Sequence, residues 1–378
     1  MSLLRAISLS RHDLPAFAAQ GIYWGAFAAY VPQIKAHVGA GDGAFGVTLL
    51  ITAAGAMMAM LFAPAFSARF GRLAVPLASI LMALSFQAPM WVASVPLFAA
   101  LMFLAGAGSG LQDVAMNTRL SRSEARLGAS LMNLNHAVFS FAYAAAAIVA
   151  GLSREADVDP GIVFAALGVL TLAGSVLMLS DDTPESRGGT RTARGGFGGV
   201  VLWGGLIALV AFLAENATEG WSALHVERTL GGSAAEGALG PAMLGLTMGV
   251  GRFTGQLVVG RLLETRVIFW SALVTSGGAL LAALAPVPLV AYTGFAILGL
   301  GVSTIAPMLL ALAGRMANDE TRGHVISRVT VIGYFGFFIG PPIMGFIAEG
   351  FGLRASFGVL ALLLLLIPGF LALMRRAR

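Results

Sequence analysis

The chain has 378 residues, 58% of them hydrophobic and only 11% charged, with a mean hydropathy of +0.86. A soluble domain carries roughly 25% charged residues, so this chain lacks the polar surface to stand in water, and a soluble multidomain enzyme is excluded despite adequate length. The formal net charge is +5 and there is no cysteine, which removes disulfide scaffolds and thiolate chemistry.

Apolar runs of about 20 residues, the length that crosses a bilayer as a helix, recur from end to end. Taken in chain order they fall near residues 12–34, 45–67, 73–92, 96–118, 128–151 and 160–180. After a break come 200–224, 239–262, 267–287, 289–313, 326–348 and 354–374. In lipid each must satisfy its own backbone hydrogen bonds. The expected fold is therefore an all-α integral membrane protein with twelve transmembrane helices; the short alternating segments of a membrane β-barrel are missing. The opening residues MSLLRAISLSRHDL lack the apolar core of a cleavable signal peptide.

The basic balance has a membrane explanation. With the N-terminus cytoplasmic, 18 of the 23 Lys and Arg residues sort to inner loops. They include Arg5, Arg11, Arg69, Arg72, Arg119, Arg122, Arg126, Arg187, Arg191 and Arg194 in the first part of the chain. Lys35, Arg154, Arg228 and Arg354 fall outside, and Arg252 lies within a span. This asymmetry is what the positive-inside rule demands, placing both termini in the cytoplasm of a multi-pass inner-membrane protein. The charge reports topology, and no nucleic-acid partner is expected.

The longest polar stretch, SDDTPESRGGTRTARGG at 180–196, reads as a flexible cytoplasmic linker. It gives an expected organisation of residues 1–180 as one six-helix half, 181–199 as linker and 200–378 as a second half. The halves resemble each other at a shift of about 194: GDGAFG (41–46) lies over AEGALG (235–240), Gly55 over Gly249, Arg72 over Arg266 and Gly151 over Gly345. At a shift of 193, Gly106 and Gly108 meet Gly299 and Gly301. Two pseudo-symmetric six-helix halves about a membrane-normal axis is a transporter architecture.

The loop SARFGRL (67–73) resembles the signature loop of the major facilitator superfamily through Arg69, Gly71 and Arg72, with Ala68 in place of the usual Asp and Pro64 in place of the leading Gly. Over its whole length the chain is similar to that superfamily. DVAMNTRL (113–120), NLNHAVFS (133–140) and EGWSAL (219–224) are similar to bacterial permeases near the fucose-permease branch. The resemblance implies alternating access, with Arg69, Gly71 and Arg72 in a gating loop whose usual salt bridge is put in doubt by Ala68.

Other machinery is excluded by residue supply. A phosphate-binding P-loop needs Gly-Lys-Ser/Thr, and the single lysine, Lys35, is followed by Ala36. No His-Glu-x-x-His and no Gly-x-Ser-x-Gly occurs, so neither an enzyme nor a cofactor or metal is expected. GDGAFG matches the dinucleotide fingerprint in letters, but it joins two membrane helices and follows no strand, so it reads as a tight periplasmic turn.

Charges within the membrane are costly, on the order of 2.5–3.5 kcal/mol even on the gentlest scale, and so mark cavities or partners. Asp113 lies about 7 Å deep at 1.5 Å per residue, with Gln112 beside it and Asn117 on its face; it serves transport or pairs with Arg119. His136 suits proton relay or a hydrogen bond to a neighbouring helix, with Asn133 and Ser140 one turn below and above. Arg252, in GVGRFTG with Gly251 and Gly255 at GxxxG spacing, needs an anion: a substrate group, Asp113, or a fixed structural carboxylate. Glu215, with Asn216 beside it, reads as cavity-facing, while Glu219 reads as the hydrated rim beside an interfacial Trp221. Tyr23 and Trp24 are further candidates for lining the cavity.

The sequence thus points to a monomeric secondary transporter with a central site between spans 1, 4, 5, 7, 8, 10 and 11. It would move a small polar solute, with protons as coupling partner. A proton-driven exporter of drugs or metabolites and a lipid translocator are its rivals; the missing Gly-Pro antiporter motif in SFAYAAAAIVAG (140–151) leans towards import.

Overall fold

The structure, a computed structural model, describes residues 3–180, 198–258, 263–318 and 321–377. Every regular element among them is helical. The first group is α1 (Leu3–Leu9), α2 (Leu14–Val38), α3 (Asp42–Phe70), α4 (Ala74–Ser85), α5 (Val95–Leu127), α6 (Met132–Glu155) and α7 (Pro160–Ser175). The second is α8 (Gly199–Leu224), α9 (Ala234–Val258), α10 (Glu264–Leu284), α11 (Pro288–Met316), α12 (Arg322–Leu364) and α13 (Ile367–Arg376). Most of the linker expected at 181–199 lies outside the described residues.

Among the described residues, eight segments are long and apolar enough to cross a membrane, against the twelve runs read from sequence. Two of the eight are the 50-residue Asp42–Trp91 and the 55-residue Arg322–Arg376, each more than twice the roughly 20 residues one crossing needs. Both are broken by a glycine with positive φ, Gly71 at 53° and Gly352 at 80°, a conformation that a β-carbon disfavours. At Gly352 the chain turns back on itself, because Ser356 Oγ donates to the Met344 carbonyl at 3.1 Å, whereas 12 residues of straight helix would separate them by about 18 Å. In α2, Gln20, Tyr23 and Trp24 dilute the hydropathy that length alone would suggest.

The outer surface is apolar. Leu61, Phe62, Leu289 and Phe351 are 79%, 65%, 72% and 81% exposed, while Thr52, Ser140, Thr218 and Thr275 are buried. Side chains that water would drive inward are here directed outward, as a lipid solvent allows. Small residues set the interior packing. A β-carbon on Gly25 would collide with the backbone of Tyr143, bringing α2 close to α6; Gly336 stands in the same relation to the backbone of Leu209, joining α12 to α8.

The repeated glycines acquire a physical meaning. Gly106 on α5 faces the backbone of Thr52 on α3, and Gly299 on α11 faces that of Leu244 on α9. Gly108 packs on α4 at Met82, and Gly301 packs on α10 at Ser271 and Thr275. Gly151 on α6 meets Ala238 of α9, and Gly345 on α12 meets Asp42 of α3. These three contacts recur one repeat later, whereas Gly55 meets Phe103 of α5 and Gly249 meets Phe141 of α6. The GDGAFG segment is mostly helix: only Gly41 precedes α3, and Gly46 sits against the backbone at Pro341 and Pro342.

Candidate functional site

A cavity of about 310 Å³ lies among α2, α3, α5, α6, α8, α9 and α12. Compared with the expected site, α3 (the second span) joins the lining through Thr52 and Ala53, and α11 contributes none of the described lining residues. The walls combine aromatic rings, among them Trp24, Phe139, Phe212 and Phe337, with Asp113, His136, Glu215, Asn216, Glu219 and Arg252.

Arg252 organises one side. Gly251 lets α9 close on Ser303 of α11, and the next residue, about 100° further round the helix, faces the cavity. Its guanidinium donates to Glu215 Oε1 on α8 at 3.0 Å and to Ser140 Oγ on α6 at 2.7 Å. The two side chains of this ion pair are 16% and 14% exposed. The pairing with Asp113 weighed from sequence is therefore replaced by Glu215, a residue of the neighbouring helix. Ser140 passes the link on by donating to the His136 carbonyl at 3.0 Å.

The other side is a polar chain. Asn117 Nδ2 donates to Asp113 Oδ1 at 3.0 Å, and Asn117 Oδ1 stands 3.2 Å from His136 Nε2. Since that amide oxygen can only accept, His136 Nε2 is the donor. Asn117 thus sits behind the lining and orients both Asp113 and His136. Arg119, the alternative partner for Asp113, instead donates to Asp13 at 2.6 Å and is not part of the cavity.

Several expectations are corrected. Tyr23 is buried against Phe86 and Phe164 and does not line the cavity; adjacent helical residues diverge by about 100°, so Trp24 takes the inward position alone. Trp24 Nε1 donates to Ser109 Oγ at 2.9 Å. Asn133 is not among the lining residues; the buried asparagine is Asn135, which donates to Ser10. Gln112 turns away to the Ala16 carbonyl and Ser79. Glu219 lines the cavity rather than marking a hydrated rim, and Trp221 is fully buried, edge-on to Phe45, rather than interfacial. Arg69 and Arg72 are exposed on either side of the Gly71 break.

Sequence reasoning also missed Gln20, Tyr334 and the aromatic wall. Helical spacing held the signal: Gln20 precedes Trp24 by four residues, and Phe212, Glu215, Asn216 and Glu219 fall at i, i+3, i+4 and i+7 on one face of α8.

A second polar cluster closes one end of the bundle. Arg154 makes two hydrogen bonds to Glu227, at 2.7 and 3.0 Å. The next residue, Arg228, makes two to Asp42 at 2.6 and 2.9 Å, and Lys35 reaches the same carboxylate at 2.9 Å. Glu227 and Arg228 occupy a π-helical turn, His225–Thr229, that follows α8. Glu349 accepts from the Gly43 amide and Glu155 from the Ala235 amide, both at 3.0 Å. All of these contacts except Lys35–Asp42 join residues before 180 to residues after 200, and together they engage three of the four cations that the sequence places outside. At the other end, Arg119–Asp13 and Arg315–Glu264 each stay on one side of that division.

A bundle of helices with an apolar outer surface around a charged, aromatic-lined cavity has the build of a membrane transporter. The sequence model of the Major Facilitator Superfamily matches residues 14–266 and again 205–378. An uncharacterized MFS-type transporter of Yersinia pestis is 30% identical over 93% of this chain and 91% of its own length. Membrane protein MosC of Rhizobium meliloti is 30% identical over 91% of this chain and 85% of its own. The chain belongs to the Major Facilitator Superfamily. Among solved structures, the D-xylose-proton symporter superposes with a TM-score of 0.77 at 16% identity, covering 98% of both chains. The nucleoside transporter NupG gives 0.76 at 10% identity, covering 97% of this chain and 99% of its own. The protein is a multi-pass secondary transporter of the lipid bilayer that handles a small molecule.

Proposed function

We propose that the chain carries a small polar solute inward by proton-coupled symport and alternating access. In this reading twelve helices cross the bacterial inner membrane, as two halves (1–180 and 200–378) joined by the cytoplasmic segment 181–199, with both termini cytoplasmic. The count is supported by the eight apolar segments, by the glycine breaks that divide two of them, and by α2 and α9. The repeated glycine contacts support the division into halves, and the sorting of arginines supports the sidedness. The likeness of DVAMNTRL, NLNHAVFS and EGWSAL supports a kinship with the permeases of the fucose-permease branch.

The observation that carries the proposal is that both halves supply charged groups to one cavity, while the Arg154–Glu227 and Arg228–Asp42 ion pairs tie the halves together at the end read here as outer. Rocking the halves apart there would expose the cavity to the other side. Asp113 or Glu215 carries the proton, His136 and Asn117 hold Asp113 in place, and Asn216 and Trp24 contact solute. Arg69, Gly71 and Arg72 form the gating loop between α3 and α4. The shared fold with the D-xylose-proton symporter supports the reading of proton coupling.

The test is Asp113→Asn in proteoliposomes, with pooled radiolabelled sugars, nucleosides and amines. Uptake driven by an imposed pH gradient is lost while counterflow continues. Unchanged gradient-driven uptake removes Asp113 as the proton carrier.

A further inference from the structure

We infer that the solute is a small organic cation, a protonated amine on an apolar or aromatic frame; this rests on the reading of the cavity as the transport site. Three carboxylates face the cavity, those of Asp113, Glu215 and Glu219, against one guanidinium among the described lining residues. That guanidinium is already engaged by Glu215 and Ser140, so it is not waiting for an anion. Formally, two carboxylates are left over for a ligand or for protons.

The hydrogen-bond census points the same way. Three donors at or behind the cavity wall are spent within the protein: the Trp24 indole on Ser109, the Asn117 amide on Asp113, the Ser140 hydroxyl on the His136 carbonyl. Acceptors are left over. Gln20 lines the cavity, is only 8% exposed, and its Oε1 is buried with no hydrogen-bond partner. Asn216 Oδ1 is likewise buried and unpartnered. An unmet buried acceptor is unfavourable, and an ammonium group offers up to three donors and no acceptor.

The walls suit the rest of such a molecule. Trp24, Phe139, Phe212 and Phe337 line the walls with aromatic surface, and Phe212 and Phe337 stack on each other at 5.0 Å; such surface attracts cations and packs on flat apolar groups. A cavity of about 310 Å³ lies at the small end of ligand sites. A carboxylate solute would meet two further carboxyl groups with no cation beside them and could bind Arg252 only by displacing Glu215. A neutral polyol would supply donors but no charge to match a carboxylate.

The experiment is binding of matched probes to the purified full-length protein, by calorimetry and thermal shift: phenethylamine, 2-phenylethanol and phenylacetate. The amine is expected to bind at least about tenfold more tightly than the alcohol, some 1.4 kcal/mol, with no binding of the acid. Glu219→Gln is expected to narrow the gap between amine and alcohol. Equal or tighter binding of the alcohol or the acid, or no binding of the amine, overturns the cation assignment. If the alcohol or acid binds best and Trp24→Ala weakens it, the substrate class is wrong but the cavity remains the site. If the amine binds and neither Trp24→Ala nor Glu219→Gln changes its affinity, the reading of the cavity as the site fails as well.

Discussion

Arg252 is bonded at once to Glu215 and to Ser140, so one side chain of α9 ties α8 to α6 across the cavity. Because the pair is largely shielded from water, removing one partner leaves the other charge uncompensated. Arg252→Met and Glu215→Gln are each expected to destabilise the protein in thermal unfolding. The double variant is expected to recover much of the loss, with a coupling of about 1–3 kcal/mol. Additive losses would show that the two groups do not act as a pair.

Tyr23 and Trp24 are neighbours in sequence with opposite surroundings. Tyr23 is packed among Phe86 and Phe164, whereas Trp24 lines the cavity. Tyr23→Phe is expected to leave solute affinity unchanged, and Trp24→Ala to weaken it by about tenfold, the 1.4 kcal/mol scale of one lost ring contact. Equal effects in a binding titration would contradict the assignment of faces.

Gly25 lies against the Tyr143 backbone, while Gly174 has open space around the position of a β-carbon. Gly25→Val is expected to cost about 1–3 kcal/mol or more by forcing α2 from α6. Gly174→Ala, in the last turn of α7, is expected to be neutral or to stabilise by about 0.5–1 kcal/mol. Melting temperatures in detergent compare the two.

Much of the fold is written in the chain because a lipid solvent imposes a simple rule: about 20 apolar residues per crossing. The candidate site was legible where a charge broke that rule. Asp113, His136, Glu215 and Arg252 all face the cavity. What a single charge cannot convey is its partner across helices. Arg252 meets Glu215 rather than Asp113 because α9 packs beside α8, a relation that spacing along one chain does not encode. Position near the end of an apolar run points Glu219 to the rim, although its distance of four residues from Glu215 puts both on one face. Asn133 and Asn135 show the opposite limit: with polar residues on every side of a short helix start, periodicity does not choose between them.

The chain contains no cysteine, which allows the central claim to be tested without knowing the solute. A single reporter, Ala53→Cys, sits in the cavity lining. With the Arg154–Glu227 and Arg228–Asp42 pairs intact, a membrane-impermeant maleimide is expected to label it slowly in right-side-out cells and readily in inverted vesicles. Adding Arg154→Gln and Arg228→Gln is expected to raise the outside rate by about tenfold or more, a shift of about 1.4 kcal/mol in the balance of states, and to lower the inside rate. Labelling confined to one face, or rates unmoved by breaking the outer pairs, would contradict alternating access through this cavity.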